Sequence, residues 1–104
     1  MNIDDIIFAT TCKDVQRLCN VVYYDGTTDE MVIGIRELYD KLCRLDNRGR
    51  FFMIGCSSLI CENNIVQISP SKGILMMAFD TLNSPHKELI FSDDLLRKLR
   101  EQIS

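Results

Sequence analysis

FFMIGCSSLICENNIVQISPSKGILMMAF (51–79), continued by ELIF (88–91), is the stretch whose reading decides the fold. It divides into short, mostly apolar runs closed by turn-forming residues. FFMIGC (51–56), LICE (59–62), IVQIS (65–69), GILMMAF (73–79) and ELIF (88–91) are separated by Ser57-Ser58, Asn63-Asn64, Pro70-Ser71-Lys72 and Asn83-Ser84-Pro85. Each link is too short for a helical crossover, so the runs read as successive antiparallel strands.

If Asn63-Asn64 is a two-residue hairpin loop, Glu62 faces Ile65, Cys61 faces Val66, Ile60 faces Gln67 and Leu59 faces Ile68. Alternation then sends Leu59, Cys61, Val66 and Ile68 to the core. Ile60, Glu62, Ile65 and Gln67 take the other face, half apolar and half polar. The run Gly73–Phe79 is apolar on both faces and reads as a central strand covered on both sides.

Helical patterns flank these strands. Met31, Ile35, Leu38, Leu42 and Leu45 form one apolar stripe and predict a helix over 28–45, with Thr27 and Glu30 at capping-box spacing. Gly34 falls inside that helix, and Gly49 supplies a left-handed exit after Asn47-Arg48. A second amphipathic helix is expected over 93–103, with Ser92 as its N-cap and Leu95, Leu96, Leu99 and Ile103 inward. Asp93 and Asp94 suit its positive end, and Arg97, Lys98 and Arg100 its negative end.

The first 26 residues admit two readings. Phe8, Cys12, Val15, Cys19 and Val22 have helical spacing, with Thr11 and Asp14 at a capping position. Val21–Tyr24 also has strand composition, and Asp25-Gly26 could turn it into a hairpin with Met31–Ile35. The helical reading is favoured. The fold expected is a single α+β domain over 1–104: an antiparallel meander of four or five strands with helices packed on one face.

Composition narrows the function. Hydrophobic residues at 46% can build one core, and a net charge of −3 argues against a broad phosphate-binding surface. The start, Asn2-Ile3-Asp4-Asp5, lacks the basic region of a secretory signal, and the longest apolar run, Ile74–Phe79, is far short of the ~20 residues that span a bilayer. A cytoplasmic protein with no membrane association is expected. The five cysteines (12, 19, 43, 56 and 61) fall mostly in apolar runs, and their spacing fits no zinc motif, so they read as reduced core thiols.

No catalytic constellation emerges, and neither a metal nor another cofactor is expected. His86 is the sole histidine and sits in a loop between Pro85 and Lys87, without a residue in sequence to orient it. A small enzyme built on His86 or a cysteine is therefore the last of three functional readings. Residues 31–50 hold five basic and three acidic side chains, and Arg44, Arg48 and Arg50 precede Phe51-Phe52. A nucleic-acid-associated regulator using those three arginines is the alternative reading.

The leading expectation is a non-enzymatic protein-binding module, an antagonist or immunity-type inhibitor of another protein. Residues 1–30 hold six acidic and two basic side chains, with Asp25, Asp29 and Glu30 around the Gly26 turn beside Tyr24. That patch suits a basic protein partner by electrostatic steering. Ile60 and Ile65 add an exposed apolar contact, and self-association as a homodimer is open to the same surfaces. The partner-binding residues expected are thus Tyr24, Asp25, Asp29, Glu30, Ile60 and Ile65.

Overall fold

Eight strands and two helices follow one another in a computed structural model that describes residues 5–12, 17–46, 49–79 and 86–103. The strands are β1 (Ile6–Thr11), β2 (Cys19–Tyr23), β3 (Thr28–Met31), β4 (Phe51–Ile54), β5 (Ser58–Cys61), β6 (Ile65–Ser69), β7 (Ile74–Ala78) and β8 (His86–Ile90). The helices are α1 (Ile35–Leu45) and α2 (Asp93–Ile103). The antiparallel α+β class read from the sequence is the class observed, with the strands divided between two sheets. One has the order β3-β2-β1-β5-β4 and the other β6-β7-β8. Asp14, Val15, Asn47-Arg48 and the Asn83-Ser84-Pro85 link lie outside the described residues.

The division follows from hydrogen-bonding capacity. A strand has two edges, and β5 uses both: Ile60 lies opposite Phe8 of β1 on one side and Phe52 of β4 on the other. Nothing remains for β6 to pair with. Glu62–Asn64 accordingly forms one turn of 3-10 helix, and the hairpin expected at Asn63-Asn64 does not form. The chain instead begins a second sheet.

Burial shows how the layers stack. Ile6, Ala9, Cys19, Val21, Phe51, Leu59 and Cys61 pack against Ile35, Leu38 and Leu42 of α1. Ile7, Phe8, Val22, Ile54 and Ile60 face the other way, onto Leu75 and Met77 of β7 and Leu96 and Leu99 of α2. The five-stranded sheet is therefore the middle layer, with the two helices on its opposite faces. A bulge between Ile6 and Phe8 inserts Ile7, so Ile7 and Phe8 both reach the second core.

Several local expectations change. Cys19–Tyr23 is a strand, so the rival reading of the front segment holds, and its hairpin partner is Thr28–Met31. α1 is correspondingly shorter, with Gly34 as its N-cap rather than an interior residue. The predicted capping box is replaced by a local turn: the amide and hydroxyl of Thr27 both donate to Asp25 Oδ1, at 3.0 and 2.6 Å. In β6 a bulge between Ile65 and Gln67 exchanges two expected environments: Val66 is 47% exposed and Ile65 joins the second core, while Ile68 packs on that core as expected. β7 is central, yet only Leu75 and Met77 are buried; Ile74, Met76 and Ala78, on its other face, are half-buried. α2 forms as read, and the Ser92 hydroxyl accepts from the Leu95 amide at 3.3 Å.

Asp46 caps the C-terminus of α1 through its amide to the Leu42 carbonyl, at 2.8 Å. Its carboxylate accepts two hydrogen bonds from Arg50, Nε to Oδ2 at 3.0 Å and Nη2 to Oδ1 at 3.1 Å. The side chains are 4% and 12% exposed, and the guanidinium stands 5.9 Å from the centre of the Phe51 ring. The pair closes the α1–β4 connection, and the Arg50 carbonyl accepts from the Glu62 amide at 2.7 Å, tying it to the end of β5.

Arg50→Ala leaves the Asp46 carboxylate without its bidentate partner and should cost about 3 kcal/mol. Arg44→Ala, on the exposed side of α1, should cost less than about 0.5 kcal/mol, the two being compared by urea denaturation. Gly73 has φ +70°, and a methyl group there would stand 3.0 Å from the Phe91 carbonyl. Gly73→Ala should lower the urea midpoint by an amount worth about 2 kcal/mol, at unchanged slope.

Candidate functional site

Two surfaces of opposite charge stand out. The first is the β2–β3 hairpin, where Tyr24, Asp25, Asp29 and Glu30 are all exposed. Hydrogen bonds from Thr27 hold the Asp25 carboxyl below its ordinary range. Asp29 accepts from the Tyr23 hydroxyl at 2.9 Å, and burial followed by that carboxylate pushes the Tyr23 hydroxyl above its ordinary value. Asp29 and Glu30 lie on β3, an edge strand of the five-stranded sheet, and not at a helix start as their sequence suggests. Charges on an edge strand discourage pairing with another chain.

Ile60 and Ile65 do not join that surface. Ile60 is fully buried in the centre of the sheet, and Ile65 is half-buried against the same core. The six residues expected to form one partner-binding patch therefore separate into an acidic hairpin and two core side chains. The cause is the missed division of the sheets: with β5 paired on both edges, its two faces are covered by α1 and by the second sheet.

The second surface is the outer side of α1. Ile35, Leu38 and Leu42 turn inward, which leaves Arg36, Glu37, Asp40, Lys41 and Arg44 exposed. Arg36 Nε lies 3.9 Å from Asp40 Oδ1, and its guanidinium stands 5.9 Å from the centre of the Tyr39 ring. Arg44 Nε donates to the Asp40 carbonyl at 3.3 Å. Arg17, before β2, reaches across and places Nη2 3.4 Å from Glu37 Oε2.

Of the three arginines grouped by sequence, Arg44 thus faces solvent on α1, and Arg48 lies outside the described residues. Arg50 is committed to Asp46, a role invisible in a run of basic residues. Arg17 was not singled out by sequence, because the contact that brings it to α1 spans twenty positions. On α2, Arg97 is hydrogen-bonded to Asp93 one turn earlier.

The remaining reactive side chains are dispersed. Cys19 and Cys61 are buried, and burial is the main cause that raises both thiols above their ordinary values, away from reactive thiolate. Cys19 Sγ donates to the Ile33 carbonyl at 3.0 Å. Cys56 is exposed in the β4–β5 turn, so it is not the core thiol expected. His86 is exposed at the start of β8, paired across the ladder with Ala78. Among the described residues, no three His, Cys, Asp or Glu side chains cluster to hold a metal, and no helix is long and apolar enough to cross a membrane.

No family model matches the chain, and no curated protein matches it. Among solved structures, it is similar to the LytTr DNA-binding domain of a response regulator from Bacillus cereus, with a TM-score of 0.70 at 12% sequence identity. The match covers 100% of this chain and 85% of that one, so the likeness extends over the whole architecture. This finding corrects the leading expectation of an antagonist or immunity-type inhibitor with a protein partner, in which nucleic acid is the disfavoured alternative. The buried Ile60 had already removed the apolar half of the surface on which that expectation stood.

Proposed function

We propose that this chain is a cytoplasmic, non-catalytic nucleic-acid-binding domain that engages duplex DNA through the exposed side of α1. The observation that carries the reading is its end-to-end likeness in fold to a LytTr DNA-binding domain. Lys41 and Arg44 are the cationic side chains assigned to the phosphates, with Arg36 beside them. Arg44 is retained from the sequence reading, and Arg50 is withdrawn because its guanidinium neutralises Asp46.

A net charge of −3 does not oppose this, because the outer side of α1 itself carries Arg36, Lys41 and Arg44 against Glu37 and Asp40. The acidic hairpin lies at one edge of the middle sheet, and the basic side chains lie on the helix covering its face. Binding responds to the local field of the surface that approaches the phosphates, since solvent screens charges farther than roughly 8 Å at physiological salt. Duplex is favoured over single strands by the aromatic placement. Phe51 is buried and Phe52 and Tyr39 are half-buried, while the exposed Tyr24 lies in the acidic turn. The basic face thus lacks, among the described residues, an open ring on which bases could stack.

The test is fluorescence anisotropy with a labelled mixed-sequence DNA duplex across a salt series. Binding at ~50 mM salt should weaken steeply as salt rises, with each of Lys41→Ala and Arg44→Ala costing about tenfold at that salt. The double variant should flatten the logarithmic salt slope by about two and leave the urea midpoint unchanged. Absence of binding at low salt refutes the reading. Binding that the double variant leaves intact refutes the assignment to α1.

A further inference from the structure

Arg17 occupies a conformation that its residue type disfavours. Its φ is +60°, and it is the one non-glycine residue among those described with a positive value. A side chain with a Cβ is strained in this region, whereas glycine enters it freely. Strain of that kind persists where the surrounding structure enforces it, and it concentrates at functional positions. The enforcing contacts are close by: the Cys12 amide donates to the Leu18 carbonyl at 3.0 Å, closing the link between β1 and β2 around Arg17.

Folding gains little from keeping arginine there. Its ion pair to Glu37 is long at 3.4 Å, and the two side chains are 66% and 55% exposed. An ion pair so solvated adds little to stability. What the arginine does achieve is placement. Its guanidinium is carried onto Glu37 in the first turn of α1, which brings a cation from another segment to the helix that bears Lys41 and Arg44.

We propose that Arg17 is a phosphate-contacting residue of the nucleic-acid surface, and that Glu37 holds it in the free protein and competes with the phosphate for it. The inference rests on the nucleic-acid reading above and adds to it a residue on a different segment and a carboxylate that opposes binding. A guanidinium matches a phosphate with two parallel hydrogen bonds, so the exchange from Glu37 to phosphate needs only a side-chain rotation. The Glu37 carboxylate left behind repels the same phosphate. It therefore weakens attachment to the nucleic-acid backbone, which carries no sequence information.

Substitution at these two positions separates binding from stability. In the full chain, with the duplex probe at ~50 mM salt, Arg17→Gly should weaken binding about fivefold, less than a full phosphate contact because Glu37 must first be released. The same variant should keep or raise the urea midpoint, since glycine relieves the backbone. Glu37→Gln should tighten binding about threefold. A purely structural Arg17 would give the opposite pattern, a lowered midpoint with unchanged affinity, and that result overturns the proposal. Weaker binding in Glu37→Gln overturns the competing role of Glu37. If the unsubstituted chain binds the duplex and Arg17→Gly binds it equally, this inference alone fails. If the unsubstituted chain does not bind, the nucleic-acid reading fails and takes the inference with it.

Discussion

β5 is hydrogen-bonded on both edges and covered on both faces, and most of the architecture follows from that saturation. Leu59 and Cys61 point to α1, while Ile60 points to the second sheet. A strand in that position is mostly apolar, as Leu59-Ile60-Cys61 is after the buried Ser58, and it offers no edge to what comes next. The chain is thereby forced out of the first sheet at Glu62. The second sheet and α2 exist as a separate layer because of it. The acidic and basic surfaces owe their separation to the same layering, since β3 ends the middle sheet at one edge while α1 lies across its face.

The electrostatics divide into structural and available charge. Arg50 and Asp46 are almost fully enclosed, and their value lies in fixing where α1 stops and β4 begins. Removing one partner is far costlier than removing an exposed charge, because the survivor stays in a medium that solvates it poorly. Arg36, Lys41 and Arg44 are solvated by comparison, and their loss should cost the fold little. Arg17 stands between the two classes, with a left-handed backbone and an exposed head group held by a long ion pair to Glu37.

Strand runs, turn positions and the amphipathic pattern of α2 were legible because they are local properties. The Ser92 cap, the apolar residues of α2 and the central place of β7 all came directly from spacing. Which strands share a sheet was not legible, because a two-residue Asn-Asn link and a 3-10 turn have the same composition at Glu62–Asn64. That error inverted the environments of Ile60 and Val66. The front segment misled for a related reason: strand residues that alternate imperfectly around the Ile7 bulge mimic a helical spacing at Phe8, Cys12 and Cys19. Of the basic face, Arg44 could be found in sequence. The burial of Arg50 and the reach of Arg17 depend on packing between distant segments and leave no local mark.

The pairing of Phe8 with Ile60 has a kinetic side. The two strands at the heart of the molecule are separated by about fifty positions, and closing a loop of that length costs entropy before any contact rewards it. Neither core can mature until those strands meet, because each contributes side chains to both. A fold that waits on such a long-range pairing is expected to form more slowly than a helical bundle of the same size.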